Sequence, residues 1–355
     1  MTSRERVAAA LRGEAPDRTP TFEYVLLSPV ADALLGRPYT VDESHWPAAE
    51  RELGWRGAVR QAAVDRVDLA ERLDHDLVYV WPATPPERPG QGEAPAAPDR
   101  PDDPVERVAR RNAEAAQTPA GPPDHALEAV VRVRDELERR GLDLPILAPA
   151  YFHGVWTDAD LMMAMALAPE VARDHFRQAT RRAVAWIEAY ASAGVDQVGV
   201  GGDFSGQRPI LSPKSYREII VPEVRTAARR ARELGMASVN ASDGNLWPVI
   251  EDFLLGCEVD AYLEIDQGAG MDLARLQARF GGRVAFYGNL DCGALLSFGT
   301  PEEVRLATLR CLDEGGGAGH VLCASNAITA TVPLANYLAV VAAYRERYGL
   351  PAFSV

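Results

Sequence analysis

Ser238-Val-Asn-Ala-Ser-Asp-Gly-Asn-Leu-Trp247 reads as a strand giving way to a helix. The short run from Met236 to Val239 has strand character. The turn and cap formers Ala241-Ser-Asp-Gly-Asn245 break it. From Leu246 the apolar residues return at helical spacing. Polar groups therefore stand at a strand-to-helix junction, the place where α/β proteins carry out chemistry.

The same alternation extends in both directions. Short apolar runs at 21–27, 76–81, 146–152, 197–200, 237–240, 261–265, 284–287 and 320–323 are strand candidates. Helical patterns fill 3–13, 59–73, 125–140, 158–168, 170–193, 213–234, 247–255, 272–280, 301–314 and 333–348. Strands that alternate with helices imply a parallel sheet. Eight such units in 355 residues predict a (β/α)8 TIM barrel, an α/β fold, as one domain over 1–355 with an N-terminal helical extension. The rival is an open doubly wound sheet, which would place a Gly-rich phosphate loop after its first strand. Gly199-Val-Gly-Gly202 lies mid-chain without that spacing, and no P-loop is found. Residues 82–123 hold eleven prolines and read as a long irregular insertion after strand 2, either a lid or an expanded loop.

Composition bounds the function. Hydrophobic residues make up 47% of the chain and charged residues 25%, enough for a large core. A net charge of -14 with pI near 5.0 argues against nucleic acid or an anionic membrane as the main partner. Cys257, Cys292, Cys311 and Cys323 are scattered without a CxxC pair, which fits a reducing cytoplasm. Thr2 and Glu5 form a capping box where a leader would show an apolar run, and no run approaches a bilayer span.

The C-terminal ends of barrel strands form the reacting face. Those ends carry Glu23 and Tyr24, Tyr79 and Trp81, Tyr151 and His153, Asp203, Ser242 and Asp243, Glu264 and Asp266, Asn289 and Asp291, and Ser325 and Asn326. Helix capping accounts for single residues such as Ser242, Asp243 and Asp291; the whole set exceeds what capping requires. It is dominated by carboxylates, with one His and several aromatics, a site suited to proton transfer, a metal, or a cationic or amide-bearing ligand. Asp76 stands at the beginning of its strand and His320 at the start of the last one, on the opposite face.

Several motifs carry a resemblance. Residues 2–18 look like the opening helix of the uroporphyrinogen decarboxylase superfamily, which includes corrinoid methyltransferases acting on coenzyme M and related thiols. Gly202-Asp-Phe-Ser-Gly-Gln-Arg-Pro-Ile-Leu-Ser-Pro213, Ser242-Asp-Gly-Asn-Leu-Trp-Pro248, Gly270-Met-Asp-Leu273, Tyr287-Gly-Asn-Leu-Asp291 and Gly299-Thr-Pro-Glu-Glu-Val304 are similar to its other motifs. The resemblance implies a barrel and often a homodimer. In the methyltransferase branch a His-x-Cys and a later Cys bind zinc; the matching positions here are Ala241, Asp243 and Asn326. They offer no thiolate or imidazole. Cys323, three residues away, is expected to pack in the barrel wall. The decarboxylases' Arg-Gln-Ala-Gly-Arg motif is replaced by Phe22-Glu-Tyr-Val-Leu-Leu27, and a Glu here is expected to repel a polycarboxylate.

The resulting expectation is a divergent enzyme acting on a small molecule at the barrel mouth, by metal-independent decarboxylation or related acid/base chemistry. His153, Asp203, Glu264 and Tyr151 are the catalytic candidates. Glu23, Tyr24, Trp81, Ser242, Asp243, Asn289 and Asn326 are the substrate-binding candidates. No cofactor is expected; zinc or a corrinoid enters only under the alternative of a methyltransferase with a remodelled metal site. A catalytically inactive ligand-binding barrel is the third reading.

Overall fold

The computed structural model describes residues 1–83, 85 and 103–354. Seven parallel strands follow one another in sequence order: β1 (Val78–Tyr79), β2 (Ile146–Pro149), β3 (Gln197–Gly201), β4 (Ala237–Ala241), β5 (Ala261–Leu263), β6 (Ala285–Tyr287) and β7 (His320–Val321). Helices connect them and cover the outer face, giving an α/β fold of TIM-like form. No helix among the described residues is long and apolar enough to cross a membrane.

The expected first strand is reduced to two isolated bridges, Thr21 with Leu322 and Leu26 with Ile328. The segment still sits between the sheet edges. Phe22 N–H donates to Leu322 O (3.2 Å) on one side, and Asp76 N–H donates to Thr21 O (2.7 Å) on the other. The ladder fails between the bridges because a side chain takes the place of the backbone: the Glu23 carboxylate accepts the Ala324 N–H at 3.2 Å.

Side-chain alternation divides the core in two. Phe22, Leu77, Tyr79, Leu147, Val239, Leu263 and Tyr287 pack together inside the curled sheet. The alternate residues, among them Val78, Ile146, Val198, Tyr262 and Phe286, pack against the helices. Cys323 belongs to the inner cluster, so the expectation that it packs in the wall is corrected. Cys323 points inwards below the mouth, and Asn326, past the end of β7, reaches the mouth as well, where it meets Asp243.

At the opposite face the N-terminal helix Ser3–Leu11, started by the expected Thr2–Glu5 capping box, is tied to the sheet through Asp76. This fully buried carboxylate accepts from Arg6 Nη1 (2.6 Å), Arg18 Nη1 (2.8 Å), Ser3 Oγ (2.9 Å) and the Thr21 N–H (3.1 Å).

Two other expectations change. Within the proline-rich insertion, Pro104–Gln117 is a helix; residues 84 and 86–102 lie outside the described residues. Its prolines bracket it instead of interrupting it. Pro104 occupies the first turn, where its missing N–H is harmless, and Asp103 caps the end by accepting the Val105 N–H. Asn112 anchors the helix by donating to Val171 O at 2.9 Å. The helix expected at 213–234 is broken by a π-helical turn at Tyr216–Ile220 before Val221–Glu233 resumes. Pro222 lacks an N–H for the carbonyl four residues back, which widens the turn ahead of it.

Candidate active site

Three carboxylates converge at the C-terminal ends of β3, β4 and β5. Asp203 follows β3 by two residues. Asp243 continues the inward alternation of Val239 and Ala241 on β4. Glu264 does not follow such a rule: Ala261 and Leu263 face inwards and Tyr262 outwards, so an extended chain would aim residue 264 at the helices. Its backbone is left-handed, with φ 70°, and this reverses the side chain. A non-glycine residue held there costs about 1–3 kcal/mol, which its surroundings must offset. One carboxylate oxygen from each of Asp203, Asp243 and Glu264 lies within 4.8 Å of the others.

Neighbouring groups fix two of the three. Asp203 Oδ1 accepts the Asp243 N–H (3.1 Å), and Asp243 Oδ2 accepts Asn326 Nδ2 (2.9 Å). Asn326 Oδ1 accepts the Ala327 N–H (2.6 Å), which turns its amide nitrogen towards Asp243. Ser242 Oγ, fully buried, accepts the Phe204 N–H (3.4 Å) and donates to Asp243 O (3.1 Å), holding the β3 and β4 turns together.

Burial and mutual repulsion raise the proton affinity of this cluster. Burial, then the charges of Asp243 and Asp203, push Glu264 well above the ordinary carboxylate range. Asp243 is raised to about 6 by burial, against the Asn326 hydrogen bond and with Asp203 and Asp266 adding to the rise. Burial also raises Asp203. Like charges this close do not ionise together without a cation between them.

Aromatic residues wall the cluster. The Tyr24 phenol faces Glu264, its ring edge-on to Tyr79 at 4.9 Å, and Tyr79 is edge-on to Trp81 at 5.4 Å. The Tyr151 ring covers Gly199, where an added Cβ would come within 2.2 Å of the ring. Its hydroxyl lies beside those of Tyr79 and the acidic group. Two openings reach this region, one against the carboxylates and one against the aromatic wall. One, of about 320 Å³, is lined by Trp156, Asp203, Asp243, Asp266, Ser325 and Asn326. The other, of about 590 Å³, runs from Tyr24 and Tyr79 under Trp81.

Other sequence candidates stand elsewhere. His153 is fully buried, its Nε2 3.0 Å from Thr180 Oγ1, and faces the helix layer away from the carboxylates. Burial lowers it to about 3, so it is a neutral packing residue. Asn289 donates to Met271 O at 3.2 Å inside the protein. Asp291 does line the smaller opening, its carboxylate accepting the N–H groups of Gly293, Ala294 and Leu295. Glu23 lines the larger opening, but burial raises it to about 8, partly opposed by the Ala324 N–H and the Tyr337 phenol. This rise weakens the repulsion of an anion expected from Glu23. Arg66, which also lines that opening, was not among the sequence candidates.

Comparison with known proteins places this geometry in context. The family model for uroporphyrinogen decarboxylase (URO-D) matches residues 90–347. A uroporphyrinogen decarboxylase of Xanthomonas axonopodis pv. citri is 31% identical over 212 residues, covering 52% of this chain and 55% of that protein. The one from Coxiella burnetii (strain RSA 493 / Nine Mile phase I) is 26% identical over 185 residues, covering 50% and 48%. The chain thus spans about half the length of the curated relatives it matches. In structure it is similar to a methyltransferase from Methanosarcina mazei, with TM-score 0.70 and 20% identity over 98% of this chain and 99% of that one. This likeness shows the fold.

The zinc set implied by the methyltransferase branch is not reproduced. The Ala241 methyl is buried among apolar groups, and the nitrogen of Asn326 is committed to Asp243. An all-oxygen cluster suits a hard cation, not a zinc that activates a thiolate.

Proposed function

Since the chain belongs to the uroporphyrinogen decarboxylase family, we propose that it is an enzyme that decarboxylates, or transfers protons on, a small acid at the sheet's C-terminal mouth. The observation that carries this reading is the buried Glu264 carboxyl, turned into the mouth beside Asp203 and Asp243 and raised well above its ordinary value. A carboxylic acid that stays protonated near neutral pH is a proton donor. In decarboxylation the bond between the substrate carbon and its carboxylate breaks. Carbon dioxide leaves, and the electron pair stays on carbon. The Glu264 proton then goes to that carbon, and solvent restores it. Tyr24 orients the Glu264 carboxyl, Asp203 and Asp243 hold it protonated, and Tyr151 closes the far wall. The substrate is a small molecule, and a homodimer, the assembly implied by the resemblance, is part of the same proposal.

A panel of small carboxylic acids in deuterated water tests this. Carbon dioxide release with one deuterium incorporated per turnover is expected, falling about 10²–10⁴-fold in Glu264→Gln. Turnover left intact by that substitution contradicts the reading. A second reading rests on the convergence of three carboxylates within 4.8 Å, which also suits a hard divalent cation. It makes the protein a remodelled methyltransferase, and it predicts activity that chelation abolishes.

A further inference from the structure

The 590 Å³ opening has the size of a small-molecule site and one unusual wall. Aromatic rings from Tyr24, Tyr39, Trp46, Tyr79 and Trp81 line it, and Arg66 lies among them. Arg66 comes from the helix Trp46–Arg72, on the same face as Val59, Ala62, Leu69 and Ala70, which line the cavity with it. A guanidinium on an apolar face normally has an acidic partner. Among the described residues Arg66 has no ion pair. Its sequence neighbour Asp65 is already used: it accepts from Arg37 Nη2 (2.7 Å), Gln61 Nε2 (2.8 Å) and the Thr40 N–H (3.0 Å). Burial pulls Arg66 below its ordinary value, with Tyr39, Asp65 and Tyr79 opposing. Four other charged or titratable side chains besides the phenols line the cavity: burial raises Glu23 to about 8 and lowers His75 to about 3, Asp42 is already held by the Ser28 and Ser44 N–H groups and the Ser44 hydroxyl, and Glu43 is exposed at the rim.

We propose that this cavity binds the ring of an aromatic carboxylic acid, with Arg66 forming a paired hydrogen bond to the carboxylate. A guanidinium matches a carboxylate in two parallel bonds and is more easily desolvated than an ammonium, so the pair suits an aromatic-lined cavity. Tyr24, whose phenol faces Glu264, lines the same cavity as Arg66, so the inner end of the cavity abuts the acidic cluster. Arg66 therefore recognises a carboxylate that does not react, and the ring carries the reacting group to Glu264. The inference rests on the reading of the mouth for the location of that reacting end, but binding at Arg66 stands independently.

Calorimetric titration with 2-naphthoate and 2-naphthamide tests it. The wild type is expected to bind naphthoate, Arg66→Met to bind it at least tenfold more weakly, and Arg66→Lys to fall between. Naphthamide should bind the wild type and Arg66→Met alike. Binding of naphthoate through Arg66 by a wild type that decarboxylates no acid of the panel would sink the proton chemistry and leave this inference standing. Thermal melting of Arg66→Met and Arg66→Lys identifies any variant that is unfolded; the folded one decides. No naphthoate binding to the wild type, or equal binding by a folded Arg66 variant, overturns the proposal.

Discussion

Glu264 shows how one backbone angle can define a site. The polar residues at strand ends were legible because each follows an apolar run; the direction of Glu264 was not, because its left-handed φ reverses the alternation that sequence reading relies on. Arg66 had a legible signal that was not used: a charged residue at i+4 from Ala62 and i−4 from Ala70 on an otherwise apolar helix stripe. Glu23 gives a prediction at the same scale. Its folded value of about 8 exceeds the ordinary 4.5, so between those pH values the folded state holds a proton that the unfolded state has lost. Stability therefore falls as pH rises through that window, by up to about 1.4 kcal/mol per pH unit. Glu23→Gln removes this loss and keeps an acceptor for the Ala324 N–H. Denaturant titrations at pH 5 and pH 8 should show the variant gaining on the wild type as pH rises; a constant difference contradicts the assignment.

At the level of elements, the strands were legible from their apolar runs and most of the helices from their periodicity. The errors have local causes. Residues 21–27 form only bridges because Glu23 substitutes for a backbone partner. The helix Pro104–Gln117 was obscured by the prolines around it, although the interval from 105 to 118 contains none. Asp76 joins the N-terminal helix to β1 on the face away from the site. Removing one partner of a buried ion pair leaves the other charges uncompensated, so Asp76→Ala should cost about 3–5 kcal/mol. Equilibrium unfolding in urea measures this, and a loss below about 1 kcal/mol would show that Arg6 and Arg18 repartner freely.

Across the whole molecule, polar residues from the ends of several strands meet at the mouth of the curled sheet. Asp243 and Asn326, which correspond to thiolate positions in the methyltransferase branch, do meet at the mouth, joined by a hydrogen bond of 2.9 Å. The polar character of both positions was legible in the sequence, since each follows an apolar strand run. The sequence could not show that Glu264 would complete the cluster while His153 turned away into the helix layer. The central claim is that this assembly holds a proton on Glu264 near neutral pH. Infrared difference spectroscopy of wild type against Glu264→Gln at pH 7 tests it directly. A carbonyl band of a protonated carboxylic acid is expected that the variant lacks and that chelator does not alter. Absence of that band, or its appearance only after chelator removes a bound cation, would contradict the account.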